Sequence, residues 1–167
     1  HLDTWTSIEN LESITATGTG SRAGDPLGDL VFNFLIAMLV KKINVSFDSE
    51  GLTIRLSWNG RRSVFASSCP AESLSVTSIF FLDDGTFPLM TKTASQLVHH
   101  VRRAVQIVSE VFLAHGLKLN YKKGKTEVVV FLRGSDAKRV RHQIFIEDEG
   151  TIPVNIAGVG QVSLNVV

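Results

Sequence analysis

The chain has 167 residues, of which 44% are hydrophobic and 20% charged, a composition typical of one folded domain and not of a disordered tail. The net charge is only +1, but the charges are unevenly distributed. Residues 1–90 hold six Lys/Arg against ten Asp/Glu, whereas residues 115–142 hold eight against two. Such a division fits a metal-binding face beside a surface for a polyanion, although a solvated lysine-rich hairpin has the same charges.

Cysteine content and apolar runs limit where the protein works. The single cysteine, Cys69, excludes an internal disulfide and indicates a reducing, intracellular compartment, with nucleus and cytoplasm both left open. The longest apolar run, residues 30–40, is shorter than the ~20 residues of a membrane-crossing helix. We therefore expect a soluble protein that contacts no membrane.

Two helices are predicted. Asp25 is a candidate N-cap and Pro26 the first residue of a helix that runs to about Lys42. This helix is apolar on nearly all sides, so we expect it to be buried. The second helix lies between Thr93 and Gly116, with a capping-box pattern at its start and a glycine after its end.

Strands are predicted around these helices. The whole is predicted to be an α+β protein, with an antiparallel sheet covered by the two helices on one face. The predicted strands are 52–58 with a return strand 61–65 after an Asn-Gly turn, 74–82, 86–90, the pair 117–120 and 126–132, and short segments within 140–167 with turns at 148–151 and 158–160.

An aspartate pair, Asp83-Asp84, lies between apolar segments and is followed by Gly85. At a hairpin tip both carboxylates can approach one cation, and a divalent metal would relieve their mutual repulsion. Mg²⁺ commonly uses one or two carboxylates, completed by water and substrate phosphates. Asp-Asp-Gly is also an ordinary solvated turn, so the pair alone leaves both interpretations open.

Two further segments carry polar groups suited to phosphate chemistry. In residues 20–27, glycines precede a helix start, where backbone N–H groups can approach a phosphate or a sugar. In residues 116–127, a lysine beside a triphosphate could neutralise charge or protonate a leaving group. Each segment also has an ordinary explanation, as a helix-entry turn and as a loop with exposed lysines.

In this order the three segments resemble the sequence blocks of reverse transcriptases, nearest to the non-LTR retrotransposon and group II intron enzymes. Residues 22–27 resemble their R-Q-G-D-P-L block, and Phe81-Leu82-Asp83-Asp84 resembles their aromatic-x-Asp-Asp block. Residues 116–127 resemble their G-L-x-L-N-x-x-K-T-E block. The resemblance covers roughly residues 19–132 of the chain.

The resemblance implies the palm of an RNA-directed DNA polymerase that uses Mg²⁺ or Mn²⁺ in two-metal nucleotidyl transfer. Its implied partners are an RNA template, a DNA primer, deoxynucleoside triphosphates and the rest of a longer polyprotein. The implied residue roles are metal binding and catalysis by Asp83 and Asp84, catalysis by Lys125, substrate binding by Arg22, Gly24 and Pro26, and nucleic-acid contacts by Lys118, Lys122 and Lys123.

The chain also departs from the family pattern. Ala23 replaces the usual Gln, Gly28-Asp29 replaces Ser-Pro, and Leu82 replaces a smaller or more flexible apolar residue. An apolar strand ending in a metal-binding aspartate is not found before Arg22, and no aromatic-Leu-Gly block follows residue 132. We therefore predict one partial domain over residues 1–167, incomplete at both ends, in which 133–167 lead towards a missing thumb and the isolated chain is inactive.

Two alternatives remain at this point. The chain could be a catalytically dead RNA-binding or maturase-like remnant of the same fold. It could also be an unrelated α+β domain in which the three segments occur by coincidence. An upstream strand ending in aspartate in the full-length gene would favour the enzyme.

Overall fold

The computed structural model describes residues 4–6, 15–17, 26–58, 72–81 and 84–167. The chain divides into two compact units, residues 1–38 and 39–167, and helix α1 (Pro26–Ser49) contributes residues to each. The described part is a mixed α/β protein with three α-helices and small, mainly antiparallel sheets. This confirms the predicted combination of helices with antiparallel strands.

Most strands pair with near neighbours in the chain. In the first unit β1 (Thr4–Thr6) pairs with β2 (Thr15–Thr17). In the second unit β3 (Ile54–Trp58) pairs with β4 (Glu72–Val76), and β5 (Ile79–Phe81) pairs with β6 (Asp84–Thr86). A three-stranded sheet has the order β7 (Glu127–Val128), β9 (Gly160–Val166), β8 (Thr151–Ile156), with β7 parallel to β9. The other described elements are α2 (Ala94–Leu113), α3 (Ala137–His142) and a π-helical turn (Gln143–Glu147).

The strand predicted over 74–82 is two strands, β4 and β5, interrupted at Thr77 and Ser78. The Ser78 hydroxyl donates a hydrogen bond to Asn44 Oδ1 of α1 at 3.0 Å, which ties the break to that helix. Strand β3 was predicted correctly, and its partner in the described chain is β4. The predicted return strand at 61–65 lies outside the described residues.

Helix α1 begins at Pro26 as predicted but continues to Ser49, seven residues beyond the predicted end. The expectation that all of it is buried was wrong, because Leu30, Val31 and Phe34 are each more than half exposed. Apolar residues on every side of a helix cannot all face one core. Only the stripe of Leu39, Ile43 and Phe47 is completely buried.

Helix α1 is also the one described helix long and apolar enough to cross a membrane by length and composition. It has 24 residues, and 22% of its most apolar window is buried, with a mean hydropathy of 1.6 in that window. Core helices of soluble proteins can pass the same test of length and composition, but they are mostly buried, which this window is not. The stripe defined by Leu39, Ile43 and Phe47 packs in a protein core, so the expected absence of membrane contact stays our prediction.

Helix α2 joins two hydrophobic clusters of the second unit. Its first half packs against α3, the π-turn and the buried residues of β8 and β9. Its second half, with Ala104, Ile107 and Val108, packs against Ile43 and Phe47 of α1. Each large side chain that is fully buried in this way stabilises the fold by roughly 1.5–3 kcal/mol relative to exposure. Helix α2 is therefore the element on which the second unit is built.

The ends of α2 follow the sequence prediction. The Thr93 hydroxyl accepts a hydrogen bond from Gln96 N at 3.3 Å, as an N-cap side chain does. At the other end Gly116 N donates to Leu113 O and Leu117 N donates to Phe112 O, both at 3.0 Å. This pair of bonds is the Schellman motif that a glycine after a helix favours.

Helix α2 also covers the outer edge of β8. Arg102 Nε donates to Pro153 O at 3.1 Å, and Gln106 Nε2 donates to Asn155 O at 2.8 Å. Pro153 has no N–H to offer a further strand. The carbonyls of Pro153 and Asn155 are occupied and Pro153 has no N–H, so this edge of β8 is protected against pairing with a strand of another chain.

The segment after α2 differs most from its prediction. Residues 117–120 are not a strand, and β7, the only strand within 126–132, pairs with β9 instead. The prediction of short strands over 140–167 was wrong at its start, because residues 140–147 are helical, in α3 and the π-helical turn. Val140 and Ile144 lie four residues apart and are both buried, a spacing that places them on one face of a helix. The strands were predicted because the region contains β-branched residues, which favour strands. The predicted turns near 148–151 and 158–160 are present.

Asp136 caps helix α2 from 42 residues downstream of its start. Its carboxylate accepts hydrogen bonds from Ala94 N at 3.0 Å, from Ser95 N at 2.8 Å and from Ser95 Oγ at 2.5 Å. These bonds, above all the one from the Ser95 hydroxyl, lower the pKa of Asp136 to about 2. A negative charge at a helix N-terminus is also favoured by the helix dipole.

We expect Asp136→Ala to lower the melting temperature by roughly 2–6 °C at neutral pH, as the loss of a helix cap does. Because the folded pKa is below the unfolded one, the carboxylate stabilises the fold above about pH 4. That stabilisation is lost as the pH falls towards 2. Thermal unfolding followed by circular dichroism from pH 7 to pH 2 should show the difference between wild type and variant shrink to nothing. Ser135→Ala, an exposed neighbour in the same loop, is the control, and a pH-independent difference would contradict this account.

Candidate metal and nucleic-acid site

The β5–β6 hairpin carries the described member of the aspartate pair. Asp84 is the first residue of β6 and lies opposite Phe81 of β5, so it is at the closed end of the hairpin. Asp84 is exposed, and its carboxylate accepts no hydrogen bond from any described residue. Leu82 and Asp83, which connect the two strands, lie outside the described residues. The chain reversal predicted at this place is therefore present, with one carboxylate available to solvent.

A chain of aromatic rings joins this hairpin to the core. The ring of Phe80 contacts that of Phe87 edge-on, with 5.6 Å between centroids, and Phe87 contacts Phe47 of α1 at 5.5 Å. Such pairs contribute roughly 0.5–1.5 kcal/mol each beyond the area that they bury. The aromatic residues around the aspartate pair thus fix the hairpin to the helices beneath it.

Gly85 is required by this packing. Phe80 and Gly85 are cross-strand partners, and a Cβ on Gly85 would lie 2.6 Å from Cε1 of the Phe80 ring. Any larger residue would displace that ring and loosen its contact with Phe87. The glycine that follows the two aspartates therefore has a packing reason within the hairpin itself.

The hairpin fits a metal ion only as part of a composite site. Within the described residues no group of three His, Cys, Asp or Glu side chains could hold a metal. One exposed carboxylate, with Asp83 next to it in sequence, matches the way Mg²⁺ is held by one or two carboxylates and completed by substrate phosphates and water. Asp83 and Asp84 stay the residues predicted to hold the ion, and of the two the structure describes Asp84.

The basic residues predicted to contact nucleic acid lie in one loop. We call residues 118–126 the lysine loop; its four lysines, Lys118, Lys122, Lys123 and Lys125, are all exposed. Neither of the ion pairs found among the described residues involves them. The loop is therefore a patch of positive charge without acidic partners in the described part of the chain.

Hydrogen bonds give the lysine loop a defined shape. Lys125 N donates to Lys122 O at 3.1 Å and closes a β-turn, in which Gly124 has a φ of 79°, as a type II turn requires. Gly124 N donates to Glu127 Oε1 at 2.6 Å, so the one carboxylate beside the loop is already engaged. Thr126 N donates to Asn120 O at 2.9 Å and closes the base of the loop.

The loop is also attached to helix α2. Tyr121 is partly buried, and its hydroxyl is hydrogen-bonded to the Ser109 hydroxyl, which in turn donates to Val105 O at 2.5 Å. Burial raises the pKa of Tyr121 more than the Ser109 hydrogen bond lowers it. The tyrosine thus stays a neutral anchor, and the lysines start from a fixed backbone when they meet an anion.

Of the glycine-containing segment 20–27, the structure describes only Pro26 and Leu27. Pro26 is the exposed first residue of α1, as predicted. Arg22 and Gly24 lie outside the described residues. The sequence reasoning also missed α3 and the cap formed by Asp136, whose only sequence signal was Asp136 placed before the good helix formers Ala137, Lys138 and Arg139.

No protein-family model matches the chain, and neither a curated protein nor a solved structure matches it. The resemblance to reverse transcriptases therefore rests on the three sequence segments alone.

Proposed function

We propose that this chain is part of a reverse-transcriptase palm and contributes to template-directed DNA synthesis by two-metal nucleotidyl transfer. The β5–β6 hairpin supports the proposal most, because it presents Asp84 at its closed end and is fixed to the core through Phe80 and Phe87. In this proposal the strands β3 to β6 belong to a palm sheet with α1 and α2 on one face. The shared core of α1, α2 and Phe87 fits that arrangement.

The residues of the chain have distinct tasks in this reaction. Asp83 and Asp84 would hold Mg²⁺ or Mn²⁺, and the metal would make the 3′-hydroxyl easier to deprotonate and stabilise the negative charge of the leaving pyrophosphate. Arg22, Gly24 and Pro26 contact the incoming nucleotide, and Lys125 neutralises the departing phosphates. Lys118, Lys122 and Lys123 contact the backbone of the template and primer, a contact that weakens with salt.

A catalytically dead RNA-binding or maturase-like remnant of the same fold is the second candidate. The departures from the family pattern at Ala23 and Gly28-Asp29 favour it. The exposed lysine loop serves binding equally well with or without chemistry.

Primer extension tests the proposal. We expect the full-length protein to extend a DNA primer on a heteropolymeric RNA template with Mg²⁺. We expect the isolated 167-residue chain to bind the same duplex without extending it, since its sequence lacks one metal-binding aspartate block. A full-length protein that binds but never extends would favour the remnant. Template-dependent extension by the isolated chain would refute the missing-ligand argument.

A further inference from the structure

A cleft lies between α2, α3 and β8. We call it the α2–α3 cleft; it has a volume of about 200 Å³. Its floor is apolar, and its polar lining consists of Ser95, Arg102, Arg139, Gln143 and Asp148. The volume is below the roughly 300–1,000 Å³ of pockets that enclose a whole small molecule, and suits a single charged group with its immediate attachment.

Two guanidinium groups in this cleft are held by the protein. Arg102 Nε donates to Pro153 O at 3.1 Å, and Arg139 Nη2 donates to Ser95 Oγ at 2.8 Å. Neither guanidinium makes another hydrogen bond within the described part of the chain. Since each carries five N–H donors, most of these donors remain for a ligand. Arg102 is partly buried and Arg139 is exposed, and each is oriented by one hydrogen bond, so the planar guanidinium groups can meet phosphate oxygens.

The surroundings of the cleft are mainly basic. A neighbouring depression shares Arg139 and Gln143 with it and adds Lys138 and His142. Glu147, also in that depression, is paired with His142 Nδ1 at 3.2 Å. Asp148 is the one carboxylate in the lining of the cleft, and the Asp136 carboxylate lies beside the cleft, bonded to the same Ser95 hydroxyl that Arg139 contacts. Both carboxylates oppose an anion there.

We propose that the α2–α3 cleft binds one phosphate of a nucleic-acid backbone, as a contact point additional to the lysine loop. The ligand is a phosphate because two held arginines with unused donors face a space of that size. It belongs to a polynucleotide because the cleft lies in a chain whose residues 115–142 carry eight basic and two acidic side chains. The inference rests on the proposed function, since it assumes that the chain binds nucleic acid.

The test compares charge-matched double variants of the 167-residue chain. Binding to a fluorescein-labelled RNA–DNA duplex is measured by anisotropy over a series of salt concentrations. Arg102→Gln with Arg139→Gln should weaken binding about tenfold and make the salt slope shallower by roughly one unit. Lys41→Gln with Lys92→Gln, two exposed lysines elsewhere, is the control and should change affinity less than about twofold.

A third variant should change the affinity for the duplex in the opposite direction. Asp148→Asn removes one of the two opposing carboxylates and should tighten binding about two- to threefold. Because Arg102 also bonds to the edge of β8, thermal unfolding of each variant is measured, and Arg139→Gln alone serves if the double variant unfolds. Cleft variants that behave like the Lys41/Lys92 control would overturn the inference.

The source of the phosphate is tested by competition. Inorganic phosphate, deoxynucleoside triphosphates and poly-glutamate are each titrated against the labelled duplex. The inference predicts that only unlabelled polynucleotide competes at its own binding concentration. The contrary result is that a mononucleotide or poly-glutamate at micromolar concentration displaces the labelled duplex from the wild type but not from the cleft variants. That result would assign the cleft to the competing ligand and contradict the inference.

The proposed function and the cleft fail in different ways. If the wild-type chain binds no nucleic acid, both fail. If lysine-loop variants weaken binding and cleft variants do not, only the cleft is wrong.

Discussion

Asp83→Asn in the full-length protein is expected to abolish primer extension and leave nucleic-acid binding nearly unchanged. In the proposed mechanism the two carboxylates hold metal charge where the attacking and leaving oxygens become negative. Losing one ligand charge should raise the barrier by several kcal/mol, hence slow the reaction on the order of a thousandfold or more. Single-turnover incorporation at saturating template measures the rate, and anisotropy measures binding.

Binding should survive this change because it depends on other residues. Among the described residues the lysine loop has no carboxylate partner to lose, since Glu127 is bonded to Gly124 N and the ion pairs found there involve other residues. Removing a negative charge near nucleic acid would, if anything, tighten binding slightly. Asp84→Asn should behave like Asp83→Asn. Glu110→Gln, which changes an exposed carboxylate on α2, should leave both the incorporation rate and the affinity unchanged.

Lys122→Ala combined with Lys123→Ala is expected to show the opposite pattern. Binding should weaken about tenfold, and the slope of log affinity against log salt should become shallower by roughly one to two units, because two phosphate contacts are lost. The incorporation rate at saturating template should stay nearly unchanged. The loop itself should keep its shape, since the Gly124 turn and the Tyr121 anchor do not use these side chains.

The control for the loop is a pair of exposed lysines outside it. Lys41→Ala with Lys92→Ala removes the same charge and should reproduce neither the loss of affinity nor the change in slope. If the loop variant lost rate and affinity equally, the separation between binding and chemistry would be wrong.

Local signals in the sequence predicted helix α2 well and the hairpin in part, since its second strand is Asp84–Thr86 and not the predicted 86–90. Thr93 and Gly116 mark the ends of α2 through short-range hydrogen bonds, which a sequence pattern can show. The hairpin at 79–86 follows from apolar residues on each side of a polar turn.

Features that depend on distant partners could not be predicted. Asp136 caps α2 across 42 residues, and β7 pairs with β9 rather than with its neighbour in sequence. The length of α1 was also missed, because Ile43 and Phe47 are helical through packing on α2 and not through a clear local signal. The α2–α3 cleft is lined in part by α3, which was not predicted, so the cleft could not be predicted either.

The Mg²⁺ dependence of single-turnover incorporation tests the central claim most directly. It is measured with the full-length protein and its Asp83→Asn variant on an RNA template. We predict that the wild-type rate rises to a plateau, while the variant stays about a thousandfold or more lower at every Mg²⁺ concentration. A variant that reaches a plateau within about tenfold of the wild type would contradict the assignment of Asp83 and Asp84 to the catalytic metal site.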